Sequence, residues 1–291
     1  MVKELVIISG KGGTGKTSLT ASFAVLANRP VIADCDVDAA DLHLILLPLV
    51  TKCHDFFSGH EAFIRQEDCC SCGKCLTNCR FSAINSRDIN FGGKRYTIDP
   101  IACEGCGVCV RFCPVMAIDF HERLCGKWMV SETRCGPMVH ARLGAAAENS
   151  GKLVSLVRKE ALRIAEQEGR ELIIVDGPPG IGCAVIASVT GSSLVMIITE
   201  PTVSGEHDLE RVLCLTKHFN VPTVVCVNKW DLNPGMTERI ENKAEAAGAK
   251  VIGRIRYDRG VTVAQIEERA VVEIDTPCAE DIKQIWNILG L

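Results

Sequence analysis

Short runs of apolar residues recur along the chain, and stretches with helical periodicity separate them. The first run, residues 5–8, ends in a glycine-rich turn, which predicts a buried parallel strand that leads into a helix over 16–28. Further strands are predicted at 31–33, 172–175, 194–198, 223–227 and 251–255. Further helices are predicted at 153–166, 206–218 and 236–247.

Strands and helices that alternate in this way predict right-handed crossover units and a mostly parallel sheet with helices on both faces. The middle of the chain, from about 60 to 122, breaks this rhythm because it is rich in cysteine and has little helical periodicity. We therefore predict an α/β fold with a doubly wound sheet, built from residues 1–59 and 123–291. Residues 60–122 are predicted to form a small α+β domain that is inserted between these two parts.

The composition favours a globular cytoplasmic protein. Of the 291 residues, 47% are hydrophobic and the net charge is -4, so charge gives no argument for binding nucleic acid. Seventeen cysteines would suggest disulfides in a small secreted protein, but the N-terminus leads directly into a predicted strand without a signal peptide. The thiols should therefore stay reduced, and clustered cysteines are then better explained as metal ligands than as disulfides. No apolar stretch approaches the ~20 residues needed to cross a bilayer, which argues against a membrane protein.

The glycine-rich turn reads GKGGTGKT and matches the phosphate-binding pattern G-x-x-x-x-G-K-S/T. Its glycines allow backbone N–H groups to converge on phosphate oxygens beside a helix N-terminus. Lys16 adds a positive charge for the phosphates, and Thr17 adds a hydroxyl that can bind Mg²⁺. The predicted nucleotide-binding residues of this loop are Gly10, Lys11, Gly12, Gly13, Thr14, Gly15, Lys16 and Thr17.

The second lysine of the loop, Lys11, makes the chain similar to the ATPases that have a deviant phosphate-binding loop. That family includes the MinD and ParA positioning ATPases, the Mrp-type cluster carriers and the nitrogenase iron protein. The resemblance implies ATP, Mg²⁺ and a homodimer that holds nucleotide between its subunits, or a heterodimer with a related ATPase. It also implies that Lys11 contacts the phosphates of the partner subunit. An ordinary solvated lysine is the alternative.

Two acidic segments that follow predicted strands extend the resemblance. In DCDVDAAD, Asp36 matches the family's switch I aspartate, which orients the attacking water. In DGPPG, Asp176 matches the switch II carboxylate near Mg²⁺, and Pro178 and Gly180 belong to a turn that can sense the γ-phosphate. The implied catalytic residues are Lys11, Lys16 and Asp36. The implied Mg²⁺ ligands are Thr17 and Asp176.

The segment NKWD, after the strand predicted at 223–227, leaves the base specificity open. Asn228 and Asp231 match the NKxD motif of GTPases, in which the aspartate accepts hydrogen bonds from guanine. The family resemblance instead implies ATP, with an asparagine near this position in contact with adenine. ATP is the favoured expectation and GTP is the alternative. Asp231 can also act only as a cap for the local backbone.

Eight cysteines of the predicted insert form two runs with the same spacing, C-x2-C-x2-C-x3-C. This spacing is typical of bacterial ferredoxins with two 4Fe-4S clusters, in which the fourth cysteine of each run binds the other cluster. Pro114 follows the second run as the pattern requires, whereas Arg80 follows the first. The first predicted ligand set is Cys69, Cys72, Cys75 and Cys113. The second predicted ligand set is Cys103, Cys106, Cys109 and Cys79.

Other interpretations apply to several cysteines. Four-thiolate zinc sites are the alternative for the two runs, since paired C-x2-C units also bind zinc. Cys70 is out of register and is interpreted as a spare thiol. Buried core thiols are the favoured interpretation for Cys35, Cys183, Cys125 and Cys135. In the segment 136–144, His140 and Arg142 are candidates for contact with the clusters or with a bound partner.

The C-terminal segment has an apolar stripe that could either bind a membrane surface or pack against the sheet. Ile282, Ile285, Trp286 and Leu289 form an apolar stripe at helical spacing. A helix that binds a membrane surface should be basic, but the charged neighbours of this stripe are mostly acidic. We therefore expect the stripe to pack against the sheet.

These features predict an ATPase that couples nucleotide state to electron transfer, or to redox-regulated binding of a partner protein. One alternative is a MinD- or ParA-like positioning or regulatory ATPase in which the clusters sense redox state. Another is an iron-sulfur cluster assembly carrier. The sequence identifies neither the redox partner nor the process that the protein serves.

Overall fold

The computed structural model describes residues 2–89, 93–144 and 150–291. The strands are β1 (Lys3–Ser9), β2 (Val31–Asp34), β3 (Leu49–Ile64), β4 (Ile84–Ile89), β5 (Gly93–Ile98), β6 (Ile118–Thr133), β7 (Gly136–Leu143), β8 (Leu172–Pro179), β9 (Leu194–Thr199), β10 (Thr223–Asn228) and β11 (Lys250–Ile255). The helices are α1 (Lys16–Leu26), α2 (Leu42–Leu46), α3 (Lys74–Asn78), α4 (Val108–Phe112), α5 (Ser150–Glu168), α6 (Cys183–Val189), α7 (Val203–His218), α8 (Pro234–Ala246), α9 (Gly260–Ile266) and α10 (Pro277–Leu289).

The described residues divide into two compact units. The larger unit contains those of 1–54, 127–143 and 149–291, and the smaller unit contains those of 55–126 and 144–148. The predicted insert, 60–122, falls within the main segment of the smaller unit. Strands β3 and β6 belong to both units, because each begins in one and ends in the other.

Nine of the described strands form one sheet in the order β11-β10-β9-β1-β8-β2-β7-β6-β3. Pairing is parallel from β11 through to β7. In β1, residues 5–8 are fully buried, as expected for an apolar run that is covered on both faces. The six predicted strands correspond to β1, β2, β8, β9, β10 and β11, so the mostly parallel α/β sheet is confirmed.

Strands β3, β6 and β7 extend the sheet beyond the prediction. Strand β7 follows β6 after a two-residue turn, which only antiparallel neighbours can make. Strand β3 lies at the edge of the sheet, and its residues 49–55 are all exposed. The rule that finds buried strands from apolar runs therefore does not find β3.

The C-terminal helix α10 packs onto the core of the larger unit. Ile282 and Ile285 are buried in the same apolar cluster as Leu5 and Phe23. The ring of Trp286 lies 5.1 Å from that of Phe23, measured between centroids. Packing of the C-terminal stripe against the sheet is thus confirmed. Within the described residues, we find no helix with the length and apolar character that a membrane span requires.

The smaller unit repeats one backbone motif. Helices α3 and α4 each begin after a glycine at φ 72°, Gly73 and Gly107, which directly follows the second cysteine of its run. Strands β4 and β5 form an antiparallel hairpin. The apolar core of this unit contains Ala62, Ile64, Cys75, Ile84, Tyr96 and Ile118.

Candidate functional site

The predicted phosphate-binding loop joins β1 to α1 at the carboxyl edge of the parallel sheet, where α/β folds bind ligands. Gly15 takes the left-handed conformation, φ 87°, immediately before α1. A Cβ atom at this position would lie 2.5 Å from Asn228 Nδ2, so both backbone conformation and space require glycine. The loop lines a cavity of about 650 Å³, large enough for a small-molecule ligand.

Lys16 brings together three of the predicted site residues. Its Nζ donates hydrogen bonds of 3.1 Å to Asp36 Oδ2 and 3.1 Å to Asp176 Oδ1, and its side chain is only 5% exposed. Burial alone would lower the pKa of Lys16, but the carboxylates of Asp176 and Asp36 outweigh burial and raise it above its ordinary value. The site therefore holds a protonated ammonium group between two carboxylates from β8 and from the segment after β2.

Asp176 also accepts two hydroxyl hydrogen bonds from α1. Thr17 Oγ1 donates to Asp176 Oδ2 at 2.8 Å, and Thr20 Oγ1 donates to Asp176 Oδ1 at 2.9 Å. The two predicted Mg²⁺ ligands, Thr17 and Asp176, are thus in direct contact. Thr20 is absent from the sequence prediction, although its spacing of three residues from Thr17 places both hydroxyls on one face of α1.

Asp34 is a further buried carboxylate beside this group. It pairs with Asp176 in the parallel register of β2 and β8, and it is 1% exposed. Its Oδ1 accepts a hydrogen bond from the backbone N–H of Asp36, whereas within the described residues Asp34 Oδ2 and Thr14 Oγ1 have no hydrogen-bond partner. Burial and the charge of Asp176 raise the pKa of Asp34 well above its ordinary range. This set of oxygen atoms suits a hard cation such as Mg²⁺.

Asp34→Asn is expected to increase the free energy of unfolding at neutral pH by about 1–3 kcal/mol, because it neutralises a buried group with an unpartnered oxygen. The pKa of Asp34 is raised in the folded chain. Wild-type protein should therefore lose stability as the pH rises from the unfolded-state pKa of about 3.9 through the raised value, and the variant should lack this loss. Urea unfolding at several pH values, without nucleotide or Mg²⁺, measures the difference. A difference that does not grow with pH contradicts the assignment.

The DGPPG turn at the end of β8 lies against the end of β1, directly before the phosphate-binding loop. Strand β8 ends at Pro179, which lines the cavity beside the phosphate-binding loop, and Gly180 follows at φ 91°. The N–H of Gly180 donates a hydrogen bond of 2.8 Å to the carbonyl of Ser9. Pro178 is the penultimate residue of β8 and is not among the residues that line the cavity.

Lys11 is directed towards residues of its own chain. Its Nζ donates a hydrogen bond of 3.1 Å to Ser204 Oγ and lies 3.7 Å from Glu200 Oε2. Glu200 Oε1 in turn lies 2.5 Å from Lys229 Nζ. None of this ion-pair network was apparent in the sequence, because Glu200 and Ser204 match no motif.

Of the two predicted NKWD site residues, Asn228 lines the cavity and Asp231 does not. Asn228 Nδ2 donates a 2.8 Å hydrogen bond to the carbonyl of Thr14, which links the end of β10 to the phosphate-binding loop. Asp231 does not line the cavity, and its Oδ1 accepts a 2.7 Å hydrogen bond from the backbone N–H of Tyr257. On this side the cavity is lined by Asn228, Lys229, Arg256, Tyr257 and Asp258.

The eight predicted cluster ligands surround two cavities in the smaller unit. Each cavity combines three cysteines of one run with the fourth cysteine of the other run, as the ferredoxin rule requires. Within the described residues, no group of three or more Cys, His, Asp or Glu side chains is arranged to hold a metal ion. The first cavity is lined by Cys69, Cys72, Cys75 and Cys113, together with Cys70, Lys74 and Tyr96. The second is lined by Cys79, Cys103, Cys106 and Cys109, together with Phe81 and Glu104.

Most other candidate residues are part of the protein core. Cys35, Cys125 and Cys135 are buried, as expected, but Cys183 is exposed, so the expectation of a core thiol is wrong there. His140 is buried on β7, where a 2.8 Å hydrogen bond joins its Nε2 to Ser131 Oγ. Burial, with a smaller effect of His43, lowers the pKa of His140 to about 4. A neutral, buried His140 is therefore a packing residue of the larger unit.

Sequence comparison connects most of the chain to known proteins. Residues 5–271 match the family model of the CobQ/CobB/MinD/ParA nucleotide binding domain. An uncharacterized protein of Methanocaldococcus jannaschii is 34% identical over 237 residues, which are 80% of this chain and 80% of the relative. An uncharacterized ATP-binding protein of the same organism is 21% identical over 300 residues, covering 98% of this chain and 86% of the relative.

Solved structures share the fold. MinD of Pyrococcus horikoshii, complexed with Mg-ADP, matches with a TM-score of 0.58 and 15% identity over 99% of this chain and 96% of that chain. Apo McdA of Cyanothece matches with a TM-score of 0.59 and 15% identity over the full length of both chains. The fold, the arrangement of the phosphate-binding loop and the family match agree, and this chain belongs to the CobQ/CobB/MinD/ParA family of nucleotide-binding domains.

Proposed function

We propose that this chain is a regulatory ATPase of the MinD/ParA type that binds two 4Fe-4S clusters as a redox sensor. The contact of Lys16 with both Asp36 and Asp176 is the observation on which the ATPase assignment depends. It joins the phosphate-binding loop, switch I and switch II in one buried group. The family match of residues 5–271 supports nucleotide binding by the same unit.

The side chains of this group have complementary roles towards MgATP. Lys16 would exchange its carboxylate partners for phosphate oxygens, which leaves Asp36 able to accept a hydrogen bond from the attacking water. Thr17 and Asp176 would hold Mg²⁺, and Asp34, which pairs with Asp176 in the register of β2 and β8, lies close by. Mg²⁺ supplies positive charge to the β- and γ-phosphate oxygens when it is bound. Asn228 would flank the nucleotide where it contacts Thr14.

A homodimer that holds nucleotide between its subunits completes this proposal. In such a dimer Lys11 would contact the phosphates in the partner's site, as the family resemblance implies. A heterodimer with a related ATPase would use the same surface. The Lys11 side chain is 34% exposed, so it can move away from Glu200 and Ser204.

The two cysteine cavities support the cluster part of the proposal. Each is lined by the four cysteines of one predicted ligand set, and thiolate sulfur is the ligand that 4Fe-4S clusters require. A cluster supplies reversible one-electron chemistry when it is bound. The ligand sets would be those predicted from the spacing, with Cys113 and Cys79 exchanged between the runs. Four thiolates for each cluster favour stable binding over transfer, which argues against an assembly carrier.

Electron transfer to a partner protein is the second candidate function. Cys72 and Cys106 are exposed, so both cavities lie near the surface of the smaller unit. Clusters at these places would be accessible to a redox protein. Electron transfer predicts that an acceptor is reduced only while ATP is hydrolysed.

The redox-sensor proposal predicts that ATP turnover, or dimerisation with ATP, differs between oxidised and dithionite-reduced protein purified anaerobically. Phosphate release and sedimentation measure the two quantities. Asp36→Asn should reduce ATP turnover by about 10²-fold or more in both redox states, because it removes the group that would orient the attacking water. Equal turnover and equal dimerisation in the two states would contradict the sensor. ATP-dependent reduction of an added acceptor would then favour electron transfer.

A further inference from the structure

The carboxylate of Glu200 lies between two lysines near the phosphate-binding loop. Its Oε1 is 2.5 Å from Lys229 Nζ, and its Oε2 is 3.7 Å from Lys11 Nζ. Glu200 directly follows β9, and its side chain is 13% exposed. It does not line the nucleotide cavity, so it is placed to act on the lysines and not on the nucleotide.

The two contacts of Glu200 differ in strength. The Lys229 pair is short, whereas the Lys11 pair is long and is shared with a hydrogen bond to Ser204 Oγ. If Lys11 moves away, Glu200 keeps Lys229 as its partner. A partly buried carboxylate therefore does not lose its last counter-ion, which is the event that makes breaking a buried ion pair costly. This arrangement suits one permanent lysine and one exchangeable lysine.

We propose that Glu200 is a positioning residue that retains Lys11 in its own chain and thereby sets how readily the ATP-bound chain dimerises. The inference depends on the proposed role of Lys11 in a nucleotide-sandwich dimer. In that dimer the ammonium of Lys11 has to leave Glu200 before it can contact a phosphate in the partner's site. Glu200 thus opposes dimerisation until nucleotide phosphates compete for the lysine.

The size of the effect follows from the exposure of the contact. Ion pairs of this kind typically change an equilibrium by about 1.4- to fivefold. In a two-fold symmetric dimer, each subunit releases one lysine, so the two contributions multiply. We therefore expect Glu200→Gln to lower the dissociation constant of the ATP-bound dimer by about tenfold.

The experiment measures the dimer dissociation constant by analytical ultracentrifugation with a non-hydrolysable ATP analogue and Mg²⁺. Glu200→Gln keeps the shape of the side chain and removes its charge. Ser204→Ala removes the other partner of Lys11 without changing any charge, and we expect it to strengthen the dimer by a smaller factor. Thermal unfolding of each variant checks that the fold is retained.

A double-mutant cycle separates a specific effect on Lys11 from a general effect of charge. Lys11→Ala alone should weaken the dimer, and adding Glu200→Gln to Lys11→Ala should change nothing further. If Lys11→Ala weakens the dimer but Glu200→Gln does not strengthen it, the role of Glu200 is overturned and the sandwich dimer stands. The role of Glu200 is also overturned if its substitution strengthens the dimer equally in the Lys11→Ala background. If Lys11→Ala dimerises like wild type, both the sandwich role of Lys11 and the inference fail.

Discussion

Lys16→Ala is expected to lower the free energy of unfolding by about 3–5 kcal/mol, because it leaves buried carboxylates without their cation. Asp176 and Asp34 are each 1% exposed, and Asp36 is 8% exposed, so water compensates little for the lost charge. The same substitution should reduce ATP hydrolysis by about 10²–10³-fold, since it removes the positive charge that is aimed at the phosphates. Urea unfolding and phosphate release measure the two effects.

A second substitution distinguishes electrostatics from packing. Asp176→Asn in the Lys16→Ala background should restore part of the lost stability, because it removes one of the carboxylates that have no counter-ion. Lys11→Ala is the matched control at a half-buried lysine with one long ion pair, and it should lower the free energy of unfolding by no more than about 1 kcal/mol. If Lys16→Ala proves as stable as Lys11→Ala, the buried ion-pair group does not exist as described.

If the proposed clusters are present, Cys113→Ala is expected to remove the one in the first cavity and to leave the one in the second. Cys113 belongs to the second cysteine run, but it lines the cavity formed by the first run. Iron and acid-labile sulfide per chain should therefore fall by about half, from two 4Fe-4S clusters to one. Electron paramagnetic resonance of the reduced protein should change from two interacting signals to one.

Two further alanine variants test the same assignment. Cys79→Ala should remove the other cluster, because Cys79 lines the second cavity. Cys70→Ala should keep both clusters, although Cys70 also lines the first cavity, since it is out of register with the ligand spacing. Bound zinc without inorganic sulfide in anaerobically purified wild-type protein would contradict the cluster assignment as a whole.

The sequence predicted the parts of the fold that depend on local pattern. Apolar runs identified β1, β2, β8, β9, β10 and β11, because strands of a parallel sheet that helices cover need mostly apolar side chains. The same rule missed β7, although Met138 and Val139 are fully buried, because Pro137 and His140 interrupt the run. It also missed β3, since an exposed edge strand needs no apolar pattern.

The candidate site was predictable where a motif fixes a residue's position. Lys16 and Asp36 follow the parallel strands β1 and β2, and Asp176 lies in the C-terminal half of β8, so all three are near strand ends that meet at one edge of the sheet. Glu200 and Thr20 were not predictable, because their roles depend on which side chains of other elements lie beside them. Asp231 fits a nucleotide motif in sequence, yet its hydrogen bond to Tyr257 depends on the position of the segment after β11.

The exchange of Cys113 and Cys79 between the two cavities affects how the smaller unit is completed. A nascent chain cannot close the first cavity before Cys113 has been synthesised, although the other three cysteines of that cavity emerge much earlier. The second cavity likewise depends on Cys79 from the earlier run. Neither cysteine run can complete a cavity without one cysteine of the other run. Cleavage of the chain between the two runs would therefore separate each cavity from one of its four predicted ligands.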